Sequence, residues 1–324
     1  MRTWRIHELG DPIDNLLLEE VVDPEPGPGE VVLEVNAVGL AFPDVLQCRG
    51  QYQFKPPLPF TPGGETAGTV SAVGEGVTRF EPGQMVVGVG GGLAERVSIS
   101  ADRLFSVPAS VPATKAAAIP LNYCTTWYAL HDRAQLAEGE TLLVTGAAGG
   151  TGSAAIQLGL AAGATVIAVA GGPEKTAACT ELGAHFVVDH REVGDLVERV
   201  RELTDGKGVD VAYDPVGGEM FQQVRRTMGW NGRLLVIGFV GGIPDLTMNH
   251  VLLKNYSVVG VHWGASVGRD PESLGRQMSS LMALAEDGLV DPLLHPVYGF
   301  EDGSRALQDI ADRLVAGKVV VGTI

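Results

Sequence analysis

The sequence predicts an α/β protein in which a doubly wound parallel sheet is joined to a β-rich domain. Three observations carry this. The chain has 324 residues, more than one hydrophobic core comfortably organises, so two domains are expected. Its texture changes near residue 122: short β-like runs broken by Pro and Gly give way to alternating strand and helix signals. The later strands are uniformly apolar, as in a parallel sheet covered on both faces.

Taken in order, "VVLEVNAVGL" (31–40), "AGTVSAVG" (67–74), "GQMVVGVG" (83–90) and "LAERVSI" (93–99) read as strands. "DPEPGPGE", "KPPLPFTPGG" and "FEPGQ" punctuate them, which suits an antiparallel barrel or sandwich. From 122 onward "TLLVTG" precedes a helix over 150–161, "TVIAVA" one over 174–182, "HFVVD" one over 192–203 and "VDVAYD" one over 218–228; "RLLVIG" and "YSVVGVHW" complete six strands. Six such strands fit a doubly wound nucleotide-binding fold. Past 264 come a helix over 272–287, N-capped by Asp270 with Pro271 at its first position, a strand over 295–298, a helix over 301–314 and a last strand over 318–323. These return to the first domain, giving domains of 1–121 with 264–324, and 122–263.

Hydrophobic residues make up 45% and charged residues 19% of the chain, an ordinary globular composition. The formal net charge is −16 with no offsetting Lys/Arg cluster, which argues against nucleic acid and anionic membranes as partners. No apolar stretch reaches the ~20 residues of a membrane helix, and "MRTWRIHELGDP" lacks the apolar core of a signal peptide; a cytoplasmic location is expected. Cys48, Cys124 and Cys179 stand far apart with no C-x-x-C pair and read as free thiols.

The stretch "TLLVTGAAGGTGSAAIQL" (141–158) carries the chemistry. It reads A-x-G-x-x-G at Ala147, Gly149 and Gly152, after a strand and opening a helix. A small first residue suits the tight turn, Gly149 lets a pyrophosphate approach the backbone, and Gly152 lets helix pack on strand. The amides of Ala148, Gly149, Gly150, Thr151 and Gly152, with the helix dipole, form the anion-binding surface. The next strand ends at Ala170 with no acid from Ser153 to Pro173, where an NAD-binding chain usually places Asp or Glu. Instead "AGGPEK" follows: Gly171 and Gly172 clear space and Lys175 supplies charge for a 2′-phosphate, while "DHRE" brings His190 and Arg191 to the end of the third strand. The expected cofactor is NADPH rather than NADH. Lys175 alternatively reads as a solvated first-turn lysine.

"VGLAFPDVLQCRGQYQFKPPLPFTPGGETAGTV" (38–70), "GAAGGTG" (146–152), "YDPVGG" (213–218) and "GVHWG" (260–264) resemble the zinc-independent quinone oxidoreductase, or zeta-crystallin-like, branch of the medium-chain dehydrogenase/reductase superfamily. The likeness runs in order along essentially the whole chain. It implies a GroES-like β-rich catalytic domain, a Rossmann domain, an active cleft between them and a homodimer joined through the strand at 256–262, an apolar edge that would otherwise be a liability. Zinc-dependent members carry Cys in the turn that here reads "GLAFPD", with Ala41, and His where "GGETAG" has Gly64; Ala and Gly cannot ligate metal, so no metal is expected. The branch usually carries Asn at the position of Ala41, and often Tyr at that of His190. The resemblance adds Thr125, Gly238, Phe239, Trp263 and Lys318 to the cofactor-binding set. It implies a retained carboxylate at Asp44, structural rather than a general base, with Glu65 similar.

Without a metal to stabilise an alkoxide, a simple alcohol is a poor substrate. A quinone or conjugated enone accepts hydride directly, delocalising the charge itself. Tyr52 matches a family cleft tyrosine; it either orients or protonates the acceptor, or packs at the rim. Phe42, Tyr123, Phe239 and Trp263 are candidate walls for a flat acceptor, or ordinary core. The alternatives are an enone or 2-enoyl-thioester reductase, a non-catalytic NADPH-binding protein, and a serine hydrolase. The last rests on "GASVG" (264–268) around Ser266 with Asp291 and His295 following; an elbow needs its helix to begin at the serine, and here the helix is expected only after Asp270.

Overall fold

The computed structural model describes residues 1–323. It divides into two compact units, residues 1–121 with 274 onward, and residues 122–273. The second unit therefore includes residues 264–273, which the sequence pattern assigns to the other, because helix Trp263–Arg269 follows closely on its last strand.

The second unit is built on six parallel strands: β1 (Thr141–Thr145), β2 (Thr165–Ala170), β3 (Phe186–Asp189), β4 (Val209–Asp214), β5 (Met228–Val236) and β6 (Ser257–Gly260). Their spatial order is β3-β2-β1-β4-β5-β6, the doubly wound order with its reversal between β1 and β4. Leu143, Ile167, Val169, Ala212 and Leu234 are buried in it, which explains why these strands lack polar alternation. Helices Gly150–Ala161, Pro173–Glu181, Leu196–Leu203 and Gly218–Thr227 form the crossovers. The third starts later than the expected 192 because Asp195 caps it, its carboxylate accepting from the amides of Val197 (2.8 Å) and Glu198 (3.2 Å). Helices Met248–Lys254 and Pro120–Trp127 are additions to the expected elements; the second continues into a π-helical turn, Tyr128–Arg133. Both are short and carry too few apolar repeats to show a period.

The first unit holds a seven-stranded sheet. Its path runs Tyr298–Gly299, Val319–Gly322, Glu30–Leu40, Glu65–Val73, Met85–Val89, Leu104–Ser106, with Arg96–Ser100 also paired to Glu30–Leu40. Every pairing is antiparallel except that of the first two strands. A hairpin, Arg2–Ile6 with Leu16–Glu20, packs Trp4, Ile6 and Leu16 into the same core as Val31, Leu33, Val70, Leu104 and Phe300. The strand expected over 295–298 is only the two residues Tyr298–Gly299. Helix Pro271–Glu286 follows Asp270 directly, with Pro271 as its first residue. Among the described residues no helix is long and apolar enough to cross a membrane.

Candidate active site

At the end of β1 the chain turns through Gly146, whose φ of +54° favours glycine. A Cβ on Gly152 would stand 2.2 Å from the Gly146 carbonyl oxygen and 2.7 Å from the Ala147 Cα, so only glycine lets helix Gly150–Ala161 lie this close to the strand end. A Cβ on Gly150 would meet the Asn122 amide nitrogen at 2.2 Å. Gly149, the N-cap residue, differs: among the described residues its Cβ would meet only the Gly146 oxygen, at 3.1 Å. The turn is thus tight where it packs and open at Gly149, where the first helical amides lack intrahelical acceptors. That is a cradle fit for a pyrophosphate on backbone and dipole.

Buried polar contacts brace the turn. Thr126 Oγ donates to the Asn122 carbonyl (2.8 Å) and lies 2.9 Å from the Tyr213 hydroxyl, tying helix Pro120–Trp127 to β4. Burial pushes the Tyr213 phenol well above the ordinary tyrosine range, so it stays protonated at any physiological pH. Asp214, at the end of β4, accepts from Thr145 Oγ (2.6 Å) and from the amides of Val216 (3.0 Å) and Gly217 (3.3 Å). Burial raises its pKa against those hydrogen bonds. Sequence reasoning misses Asn122, Thr126, Tyr213 and Asp214 as parts of the site. Asp214 carries a signal, an acid before Pro-Val-Gly-Gly that can turn onto following amides; the others carry none, since their contacts are non-local. Thr125 and Thr151 are half-buried, Ala147 and Ala148 buried, Gly238 half-buried, and Phe239 is 45% exposed.

A second corner lies where β2 and β3 end. A Cβ on Gly171 would fall 2.5 Å from His190 Nε2 and 2.9 Å from Arg191 Nε; one on Gly172, whose φ is +90°, would fall 3.1 Å from an Arg191 terminal nitrogen. The two glycines, His190 and Arg191 therefore form one packed corner. Lys175 is half-buried in the first turn of helix Pro173–Glu181, and His190 and Arg191 are exposed.

In the first unit the turn "GLAFPD" opens helix Phe42–Cys48. Asp44 Oδ2 accepts from the Ala41 amide (2.7 Å) and Oδ1 from the Gly63 amide (3.2 Å). Burial pushes its carboxyl up to about 6, against the pull of those amides and of Lys318. Glu65 accepts the Leu121 amide (2.7 Å) on one oxygen and the Lys318 ammonium on the other, and both side chains are buried. Lys318, expected at the cofactor, is 3% exposed and already paired, so its charge serves Glu65 and is not displayed. Tyr52 is half-buried, and burial and then the Asp44 charge raise its phenol. Of the expected walls, Tyr123 and Trp263 are buried and Phe42 packs against the first unit's core, so packing claims much of their surface.

Among the described residues no group of three or more His, Cys, Asp and Glu is placed to hold a metal ion. Ser266 lies inside helix Trp263–Arg269, an element absent from the expected set, and its hydroxyl donates to the Trp263 carbonyl (2.7 Å). That is a mid-helix back-bond and not a strand-to-helix elbow, so the hydrolase alternative fails on a different ground from the one expected.

Residues 27–109 match the alcohol dehydrogenase GroES-like domain and residues 150–282 the zinc-binding dehydrogenase family. The chain is 38% identical over 310 residues to quinone oxidoreductase-like protein 2 of Mus musculus, covering 94% of this chain and 88% of that one. It superposes on the quinone oxidoreductase of Thermus thermophilus, solved also in complex with NADPH, with a TM-score of 0.86 and 32% identity over the whole of both chains. It superposes on the CurK enoyl reductase with a TM-score of 0.88 and 30% identity, over 99% of this chain and 98% of that one. A GroES-like domain, a Rossmann sheet in doubly wound order and turns without metal donors at Ala41 and Gly64 stand together with these likenesses: the chain belongs to the zinc-independent quinone oxidoreductase branch of the medium-chain dehydrogenase/reductase superfamily, a family of NAD(P)-dependent oxidoreductases.

Proposed function

We propose that this protein is an NADPH-dependent oxidoreductase that reduces a quinone or similar conjugated carbonyl without a metal. The observation that carries the acceptor class is the donor set of the first unit. Ala41 and Gly64 have no ligand atoms, and Glu65 is occupied by Lys318 and the Leu121 amide, so no side chain there can assemble a cation to stabilise an alkoxide. An acceptor that delocalises its own charge needs no such help.

A bound reduced nicotinamide supplies the hydride. The residues of the chain bind, orient and protonate. The open Gly149 cradle and the amides of Ala148, Gly150, Thr151 and Gly152 hold the pyrophosphate, the Gly149 amide itself donating to the Gly146 carbonyl (2.9 Å), with Thr125, Gly238 and Phe239 toward the nicotinamide side. Gly171, Lys175 and His190 receive the 2′-phosphate. Tyr52, its proton retained at neutral pH by burial and the neighbouring Asp44, offers that proton to the acceptor oxygen. Edge strand β6, with Val258 40% exposed and Leu252 and Leu253 of the preceding helix 79% and 72% exposed, supports a homodimer paired along that edge.

The test is NADPH oxidation followed by absorbance against ortho- and para-quinones, enones and 2-enoyl thioesters, with and without a chelator. Turnover of quinones that survives chelation is the expected result. The likeness to the CurK enoyl reductase favours one second reading, a 2-enoyl-thioester reductase; thioester turnover without quinone turnover would establish it instead. NADPH binding with no turnover on any acceptor would leave a binding protein.

A further inference from the structure

We infer that Asp189 is a positioning residue for NADPH selection, holding the 2′-phosphate corner in shape although its own charge is negative. The inference rests on the NADPH reading above. Elementary electrostatics assigns an acid at this place the opposite effect, since a carboxylate near the 2′-position favours the ribose hydroxyl and repels a phosphate. Asp189, however, is the last residue of β3, not of β2, and both its oxygens are engaged. Oδ2 accepts from the Gly172 amide (2.9 Å) and Oδ1 from the Arg191 amide (2.9 Å). One carboxylate thereby bridges the turn after β2 to the turn after β3. The backbone adds a further tie, the His190 amide donating to the Ala170 carbonyl (3.0 Å).

The bridge has a geometric consequence. It keeps Gly171 and Gly172 against His190 and Arg191, at separations where even a methyl group at 171 would collide with both side chains. The Arg191 guanidinium is laid across the two glycines and the His190 ring beside it. Two backbone amides donate to the carboxylate and disperse its charge, as charge-assisted hydrogen bonds do. Glu192 provides the contrast. It lines the same surface groove as Asp189, Pro173 and Thr176, but among the described residues no backbone amide of the glycine turn donates to it.

The experiment measures dissociation constants of NADPH and NADH by nicotinamide fluorescence, and of 2′,5′-ADP and 5′-AMP by calorimetry, on the full chain and on D189N, E192Q and R191Q. Losing one bridging acceptor in D189N is expected to weaken NADPH and 2′,5′-ADP by about tenfold and NADH and 5′-AMP by less than about twofold. E192Q, which removes the same charge nearby, should leave all four within about twofold. NADPH binding to D189N that is unchanged or tighter overturns the inference, because Asp189 would then act as plain charge. A D189N that weakens all four ligands alike overturns it too, since that is a general structural effect. If D189N fails to melt cooperatively, R191Q decides: its side chain is exposed, and retention of full NADPH preference there removes the group that Asp189 is said to position. A wild-type protein with equal affinity for NADPH and NADH would instead undo the cofactor reading itself.

Discussion

The Asp44–Glu65–Lys318 cluster of the first unit and the glycine turns of the second place their ionisable groups in opposite ways. In the first, Asp44, Glu65 and Lys318 point inward at 7%, 2% and 3% exposure, and each is matched by a neighbour: two backbone amides for Asp44, an ammonium and an amide for Glu65. In the second, His190 and Arg191 stand exposed beside two glycines, and the phosphate turn around Gly149 is built of glycine, alanine and threonine without a charged side chain. Inward charges must be compensated within the fold because desolvation is costly. Outward charges carry no such requirement and remain accessible from solvent. Substitutions in the first unit should therefore register as stability, and those at the second unit's turns as binding.

The largest expected effect is K318M. It strands the Glu65 carboxylate in a dry site and should cost about 3–5 kcal/mol in denaturant unfolding. The double variant E65Q/K318M should recover most of that loss, since no unpaired charge remains. The ratio of NADPH to NADH affinity should not move; a changed ratio would put Lys318 back at the cofactor and erase the contrast. Next comes G152A, whose Cβ would sit 2.2 Å from a backbone oxygen that cannot step aside. It should destabilise by about 2–3 kcal/mol and weaken both dinucleotides together, because the phosphate turn serves both. Selective loss of NADPH alone would contradict that division of labour between the two turns.

The same contrast explains what the sequence could be read for. The parallel sheet, its six strands and the glycine turn are local signals: apolar runs, Gly at fixed offsets, a helix opening. Their order, β3-β2-β1-β4-β5-β6, is one of the few that right-handed crossovers between parallel strands allow. The Glu65–Lys318 pair joins residues 253 positions apart, and nothing near either one announces the other. The pairing of Lys318 with Glu65 is accordingly absent from the sequence reading, which assigns the lysine to the cofactor. The hairpin Arg2–Ile6 with Leu16–Glu20 escapes notice because "RTWRI" and "LLLEE" mix charge with apolar residues. Helix Trp263–Arg269 does so because Gly264 and Gly268 depress its intrinsic propensity. Asp189 sits in plain view in "DHRE", but only its distances to two amides reveal what it does.

A smaller effect tests how dry the first unit's site is. Asp44 rises from 3.8 to about 6, so the folded protein binds a proton that the unfolded chain releases between those values. Its contribution to stability is full below about 3.8 and is lost as pH rises through about 6. Relative to D44N, the wild-type unfolding free energy should fall by about 2 kcal/mol between about pH 4 and pH 7. Parallel pH profiles for the two proteins would mean that Asp44 is hydrated and ionised throughout, and the description of this unit as inward-facing would lose its central case.

The smallest effect is also the one place where the first unit is asked to act on a ligand. Tyr52 is half-buried, neither sealed like Asp44 nor displayed like Arg191. If its phenol delivers a proton in the rate-limiting step, Y52F should lower kcat on a quinone about tenfold, some 1.4 kcal/mol in barrier, with little change in melting temperature or NADPH affinity. A solvent isotope effect present in the wild type and absent in Y52F would assign the loss to proton delivery and not to packing. Unchanged turnover would mean that the reduced acceptor draws its proton from water and that Tyr52 serves the first unit by packing alone.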